Sequence, residues 1–261
     1  MKINNSESFI DLAQHMADVS GEILRRSFQK SNIFADKSDA SPVTEIDLTV
    51  ERAIRGMIQD AYPEHGIIGE EVGDFKRNAE YVWLIDPIDG TKAFIAGIPV
   101  FGTLIALARN GEPFLGIIDQ PILRQRWVGV DGAQTMLNGS PVHVRKCQDI
   151  SEAIIDISSP EYFKGDDRNA FNRLRKAVKW AVYGGSCYAY GMLAAGFLDI
   201  GLEVEHEPPD YCALVPIVRN AGGVITDWQG DALTINSGNR FIAAGDHEVH
   251  ARAISLLNSR R

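Results

Sequence analysis

Apolar residues recur at steps of three and four near the N-terminus. They are Phe9, Ile10, Ala13, Met16, Ala17, Ile23, Leu24 and Phe28. This spacing gives a helix one apolar face, so it predicts a long amphipathic helix over residues 6–29. A second helix is predicted from about Thr44 to Asp60. The segment Phe34 to Ser41 between them is rich in polar and helix-breaking residues, which predicts a mobile loop.

From Gly66 onward the pattern changes to short apolar runs separated by turns, which is typical of the strands of one sheet. These predicted strands are residues 66–68, 81–85, 103–108, 114–118 and 126–130. The second half alternates strands with helices, so we expect a mixed α/β fold. Its predicted strands are 153–157, 198–202, 224–226 and 240–244, and its helices lie near 167–178, 187–195, 210–220 and 247–258. Pro216 should bend the helix that contains it.

No linker divides the chain, so we expect one unit with two lobes, at about residues 1–140 and 141–261. The formal charge of −9 argues against nucleic acid or an anionic membrane as a partner, and favours a small molecule. The three cysteines have no paired spacing, which argues against a disulfide framework or a zinc ribbon. Because the sequence also lacks a signal segment or a membrane-spanning apolar run, we expect a cytoplasmic protein.

The segment Trp83 to Thr91 contains the most informative chemistry, because an apolar strand leads directly into Asp86 and Asp89. Two carboxylates at the buried end of a strand repel each other and lose hydration, so they take up protons unless a cation compensates. Mg²⁺ is the natural candidate, since it prefers oxygen ligands and is often held by one or two carboxylates together with substrate phosphate.

The residues around these aspartates extend the site. Pro87 has no backbone N–H, which leaves the Ile88 carbonyl available to face the ion. If Gly90 and Thr91 open a helix, their amides form an anion site beside the metal.

Other carboxylates have alternative interpretations. Glu70 and Glu71 follow another short apolar strand but fit a solvated turn equally well. Asp47 fits a helix capping box with Thr44, and Asp210 fits a helix N-cap. Capping and metal binding are compatible with each other.

Three segments, in this order, resemble the inositol monophosphatase superfamily over nearly the whole chain. They are Gly69-Glu70-Glu71, Asp86-Pro87-Ile88-Asp89-Gly90-Thr91, and Asp210 followed by Ala221-Gly222-Gly223. The resemblance implies an α-β-α-β-α layered fold and, usually, a homodimer. The family usually has an aromatic residue before the aspartate that corresponds to Asp210, and here that residue is Pro209. The local wall of the substrate site is therefore expected to differ from the family's pattern.

Further segments are more similar to the histidinol-phosphate phosphatase branch. They are residues 90–94, 101–107, 119–121 and 214–216. This similarity implies hydrolysis of L-histidinol phosphate, in histidine biosynthesis. The alternatives are an inositol or broad sugar-phosphate phosphatase with the same chemistry, and a catalytically silent metal-binding regulatory protein.

The resemblance also implies a set of roles for two or three Mg²⁺ ions. One would bind Glu70, Asp86 and the Ile88 carbonyl, a second would bind Asp86, Asp89 and Asp210, and Asp47 would order waters around a third. We predict an attacking water that the metal activates and that Glu70 and Thr91 orient and deprotonate. A nucleophilic-aspartate mechanism fits less well, because that class separates its aspartates by one residue and here two intervene.

Substrate selection is expected from the C-terminal lobe. Ser186 and Cys187 lie in a segment that resembles the substrate-facing turn. Glu203 is the predicted selector of substrate hydroxyls or of an ammonium group. The alternative for Glu203 is an exposed charge at a strand end beside Glu205 and Glu207.

Overall fold

The first layer of the fold consists of two long helices. The computed structural model describes residues 5–30, 34–36 and 42–259. Helix α1 (Asn5–Ser27) packs against helix α2 (Glu45–Ala61), as the apolar spacing predicts. Between them, β1 (Phe34–Asp36) pairs antiparallel with β2 (Pro42–Thr44), so the loop prediction was wrong for residues 34–36. Three-residue strands are too short to show a period-two pattern, and residues 37–41 lie outside the described residues.

The second layer is a sheet whose seven strands, within the described residues, follow one another in chain order. They are β3 (Gly66–Gly69), β4 (Tyr81–Asp89), β5 (Gly102–Arg109), β6 (Glu112–Gln120), β7 (Gln125–Val130), β8 (Met136–Leu137) and β9 (Ser140–Pro141). Strands β3 and β4 are parallel and all later neighbours are antiparallel. The short helix α3 (Thr91–Ala96) follows β4. The prediction of a single sheet here is confirmed, although the two-residue strands β8 and β9 were missed.

A second sheet of five strands has the order β11-β10-β12-β14-β13. These are β10 (Ile154–Ile157), β11 (Trp180–Tyr183), β12 (Ile200–Glu203), β13 (Val224–Asp227) and β14 (Phe241–Ala244). A 3₁₀ turn (Ile150–Glu152) precedes β10. Strand β11 was not predicted, because it is an edge strand whose large apolar side chains are mostly exposed and show no inward face.

The remaining helices complete five layers. They are α4 (Gly165–Ala177), α5 (Ser186–Ala194), α6 (Pro208–Tyr211), α7 (Leu214–Asn220) and α8 (His247–Asn258). One core lies between α1, α2 and the first sheet, a second joins both sheets through α5 and α7, and a third lies beneath α4 and α8. The expected α-β-α-β-α arrangement is therefore confirmed. None of the described helices is both long and apolar enough to cross a membrane.

Strand β4 joins two of these cores because successive side chains point to opposite faces of a sheet. Val82 and Leu84 pack toward α5 and α7, whereas Trp83 and Ile85 pack toward α1 and α2. A strand buried on both faces has no polar alternation, which explains its continuous apolar run.

The single helix predicted over residues 210–220 is two helices in the structure. Pro216 is the third residue of α7, a position where a backbone N–H has no helical partner, so its missing donor costs little there. Its ring disfavours a helix that continues through Cys212, four residues earlier. The break therefore precedes the proline, and no bend within α7 is needed.

Candidate metal centre and cleft

The end of strand β4 directs two aspartates toward an open cleft. The pairing of β4 with β5 shifts register between Asp86 and Asp89, so the chain leaves the regular ladder there. Asp86 Oδ1 accepts the Ile88 backbone N–H at 2.9 Å. The Thr91 hydroxyl donates to the Ile88 carbonyl at 3.0 Å. These bonds fix the short segment that carries the aspartates.

Three carboxylates converge at this edge of the sheet. Glu70, Asp86 and Asp210 each place an oxygen within 4.8 Å of the others. Glu70 follows β3, which runs parallel to β4 with Gly69 opposite Ile85, so both strands end at the same edge. Asp210 comes from α6, where it is the third residue rather than the predicted N-cap, and it accepts the Glu207 backbone N–H at 2.8 Å.

Burial and mutual repulsion dominate the electrostatics of this cluster. Burial raises the pKa of Asp86 well above 3.8, and the charges of Glu70, Asp89 and Asp210 raise it further. The pKa of Asp210 is also raised well above its usual value, by burial and then by Glu70. Burial likewise raises the pKa of Asp89, although the Cys187 amide opposes this effect. An oxygen-only donor set that is costly to ionise without a cation fits a hard divalent metal.

Asp47 lies beside this cluster at the start of α2. The capping box is confirmed, because Asp47 Oδ2 accepts the Thr44 backbone N–H at 2.8 Å and the Thr44 hydroxyl at 2.5 Å. Its Oδ1 is buried and has no hydrogen-bond partner among the described residues. Burial, with a contribution from Glu70, raises the pKa of Asp47 to about 6. One oxygen of Asp47 thus caps the helix, and the other is available to bind water. The role of Asp47 toward a third metal stays a prediction.

The carboxylates form one wall of a cleft of about 590 Å³ between the two sheets. Its lining comprises Glu70, Asp86, Ile88, Asp89, Gly90, Thr91, Lys92, Ala93, Ser158, Ser159, Glu161, Tyr162, Gly184, Ser186, Glu205, His206 and Asp210. Every predicted metal ligand is in this lining, and so are Gly90, Thr91 and Ser186. The anion-binding role of the Gly90 and Thr91 amides stays a prediction.

Two predicted substrate contacts, Cys187 and Glu203, do not line the cleft. The Cys187 side chain is buried and outside the cleft lining, and its backbone N–H donates to Asp89. Glu203 is also buried, so it is neither a lining residue nor an exposed charge. Its Oε1 accepts the Ser158 N–H at 2.9 Å and the Ser158 hydroxyl at 2.8 Å. Neither side chain reaches the cleft directly, because the strand and helix positions of these residues direct their side chains inward.

Several lining residues were missed by the sequence reasoning. Lys92 on α3 donates to the Tyr162 hydroxyl at 2.8 Å, which joins α3 to the loop that follows β10. Ser158 and Ser159 follow the end of β10 and lie in the same wall. Their position just after a strand was the signal that could have identified them, since cleft residues often follow strand ends.

Two buried carboxyl groups lie beneath that wall. Asp156 has both oxygens buried without a hydrogen-bond partner among the described residues, and one Glu203 oxygen is in the same state. Burial raises the pKa of each group to about 7. Because the unfolded chain ionises near pH 4, these groups add most stability in acid. That contribution is lost as pH rises toward 7.

Replacing Asp156 with Asn should therefore stabilise the protein at pH 8, by roughly 1–2 kcal/mol, and by much less at pH 4. Thermal unfolding at both pH values tests this expectation. Asp131→Asn, at a partly exposed carboxylate, is the matched control and should change little at either pH. Destabilisation of Asp156→Asn at pH 8 would show that the ionised form is favoured in the fold.

Known proteins are similar to this chain in sequence and in architecture. Residues 5–261 match the model of the inositol monophosphatase family. The chain is 44% identical over 260 residues to the bifunctional phosphatase IMPL2, chloroplastic, of Arabidopsis thaliana, covering 96% of this chain and 75% of that protein. It is 34% identical over 227 residues to a histidinol-phosphatase of Chlorobaculum parvum, covering 85% and 86%.

A solved structure agrees with these sequence matches. An inositol monophosphatase from Zymomonas mobilis superposes with a TM-score of 0.90 at 42% identity, over 97% of this chain and 98% of that one. The family match spans nearly the whole sequence, and the five layers of this chain place its carboxylates at one sheet edge. The chain therefore belongs to the inositol monophosphatase family and is a phosphatase of that family.

Proposed function

We propose that this phosphatase is Mg²⁺-dependent and hydrolyses L-histidinol phosphate to L-histidinol and phosphate. The observation that carries the substrate assignment is the charge of the cleft. Among the described residues, six carboxylates and one lysine, Lys92, line it. Four of those carboxylates are the proposed metal ligands, which leaves Glu161 and Glu205 as additional negative charges on the rim.

The rim charges favour a phosphomonoester that also carries a cation. Once metal ions offset the inner carboxylates, Glu161 and Glu205 would attract an ammonium or imidazolium group and repel a second phosphate. Lys164 pairs with Glu205 at 3.3 Å on the exposed side, so that attraction is partly offset. The histidinol-phosphatase of C. parvum among the relatives supports the same assignment.

The inner residues have separate tasks in this proposal. Glu70, Asp86, Asp89, Asp210 and the Ile88 carbonyl would hold Mg²⁺. Mg²⁺ bound there would offset the negative charge of the phosphate and favour deprotonation of the attacking water.

The chain's own groups would position that water. Glu70 would accept its proton, and the Thr91 hydroxyl, already fixed by the Ile88 carbonyl, would orient it. Asp47 would order further water through its unpartnered oxygen.

A second candidate is an inositol or sugar-phosphate phosphatase. It is favoured by the 42% identity to the Z. mobilis inositol monophosphatase and by the bifunctional relative from A. thaliana. The same inner residues would serve it, so the two candidates differ only in the rim.

Phosphate release from three substrates at saturating Mg²⁺ tests the proposal. They are L-histidinol phosphate, inositol 1-phosphate and adenosine 3′,5′-bisphosphate, compared by kcat/KM. A strong preference for histidinol phosphate is the expected result. A preference for inositol phosphate would keep the chemistry and overturn the substrate.

Changing Glu205 to Gln should lower kcat/KM on histidinol phosphate by about tenfold, and on inositol 1-phosphate by less than twofold, because only the former carries a cation. The loss should shrink as ionic strength rises. Glu22→Gln on α1 removes an exposed charge that does not line the cleft and is the control. Equal losses on both substrates would remove Glu205 from specificity.

We also propose that the protein is a homodimer. Trp180, Val182 and Tyr183 on the edge strand β11 are each about half exposed, which supports an apolar contact there. Light scattering after size-exclusion chromatography tests this, and a monomer at micromolar concentration would overturn it.

A further inference from the structure

A buried ion pair lies behind the turn that carries Glu70. Glu51 is fully buried in the middle of α2, one helical turn after Asp47. Its Oε1 accepts the Arg55 Nε–H at 2.7 Å. An isolated buried ion pair adds little net stability, because the free energy of desolvating the two charges nearly cancels their attraction. The contribution of this pair must therefore come from the other groups that it binds.

The pair is bonded to the backbone directly after Glu70. The Glu71 N–H donates to Glu51 Oε2 at 2.8 Å, and the Val72 N–H donates to Glu51 Oε1 at 3.1 Å. Arg55 donates to the Gly73 carbonyl. Three consecutive residues of the turn are thus tied to one side-chain pair on α2.

The pair also touches the residue before Glu70. A Cβ at Gly69 would lie 2.0 Å from Glu51 Oε1 and 2.6 Å from Arg55 Nη2, so only glycine allows this approach. The turn is therefore clamped on both sides of Glu70, whose own side chain extends into the cleft.

We propose that Glu51 and Arg55 are positioning residues that set the metal affinity of the centre by fixing Glu70. The inference rests on the proposed metal-dependent function. Helix α2 carries both Asp47 and the clamp, so one rigid element sets the position of two carboxylates at the centre. A ligand held in place before metal arrives has less conformational freedom to lose on binding.

Glu51→Gln and Arg55→Lys test the clamp. The first keeps the shape but removes the charge and one acceptor, and the second keeps the charge but loses the planar fork. Each should raise the half-saturating Mg²⁺ concentration for activity by about 10- to 100-fold, while kcat at saturating Mg²⁺ falls by less than about threefold. Titration with Mn²⁺ alone, followed by the electron paramagnetic resonance of the free ion, should show the same weakening without substrate.

Asp199→Asn provides a matched control. Asp199 is buried, accepts Arg145 Nε–H at 2.7 Å and accepts the Ile154 N–H at 2.7 Å, in the other sheet. The Asp199→Asn variant should lose as much thermal stability as the Glu51 and Arg55 variants and should keep wild-type Mn²⁺ affinity.

The outcomes separate the clamp from the function it rests on. Wild-type Mn²⁺ affinity in a folded Glu51 or Arg55 variant overturns the clamp alone, as does an equal loss of affinity in Asp199→Asn. Failure of the wild-type protein to bind Mn²⁺ would overturn the metal-dependent function and the clamp with it. Should Glu51→Gln not fold, the milder Arg55→Lys variant gives the decisive measurement.

Discussion

Replacing Asp86 with Asn should lower kcat/KM by about 10³-fold or more while it raises the unfolding temperature of the metal-free protein. The loss of activity follows from the position of Asp86, which is buried at the centre of the cluster and is shared between both proposed metal positions. An amide oxygen is a neutral ligand, so it attracts Mg²⁺ less and offsets less of its charge.

The gain in stability has an independent cause. Burial and three neighbouring carboxylates raise the pKa of Asp86, so the folded state without metal resists its ionisation. Asn removes that penalty and keeps the oxygen that accepts the Ile88 N–H. Because a group with a raised pKa loses its stabilising contribution as pH rises, the advantage of Asn should grow from pH 5 to pH 8.

Thermal unfolding in EDTA and in Mg²⁺, together with steady-state kinetics, tests both expectations for Asp86→Asn. In Mg²⁺ the order should reverse, because metal binding stabilises only the protein that binds it. The surface variant Asp131→Asn should match the wild-type protein throughout. Full turnover by Asp86→Asn would rule out the metal assignment, and a lower unfolding temperature in EDTA would contradict the electrostatic account.

The inner site could be predicted from the sequence because its chemistry is local. Glu70 and Asp86 each end or follow an apolar run, and parallel strands bring such ends to one sheet edge. The clamp could not be predicted, since Glu51 and Arg55 look like an ordinary i,i+4 pair on a helix. Their importance depends on a turn about twenty residues away in the sequence.

Glu203 was the predicted selector, but its side chain is buried, and it is Glu205, two residues later, that lines the cleft. Strand β12 ends at Glu203, and Glu205 then adopts a left-handed conformation with φ of 61°. The alternation of a strand no longer determines where a side chain points once the backbone turns in this way. Sequence therefore identified the acidic run but not which of its members reaches the cleft.

Gly90→Ala is the second substitution with a large expected effect, a loss of about 10²-fold in kcat/KM. Gly90 has φ of 87°, where an L side chain costs roughly 1–2 kcal/mol. A Cβ there would also lie 2.8 Å from Ser186 Oγ, 3.1 Å from Ser186 Cβ and 3.3 Å from Phe101 Cα. Relief of these contacts requires movement of the Asp89–Thr91 segment, and displacement of a catalytic group by about 1 Å costs about this much activity.

The contact with Ser186 makes this prediction testable by rescue. Ser186 itself has φ of 48°, so Ser186→Gly removes both the obstructing atoms and an unfavourable backbone conformation. The double variant Gly90→Ala/Ser186→Gly should recover about tenfold of the kcat/KM that Gly90→Ala loses. The single variant Ser186→Gly gives the reference for the loss of the Ser186 side chain, which lines the cleft. If the effects of the two substitutions on kcat/KM are strictly additive, the loss in Gly90→Ala comes from the backbone at Gly90 alone. Recovery would instead show that the two substitutions are coupled, so that the close approach of Gly90 to Ser186 at the start of α5 determines the position of the Asp89–Thr91 segment.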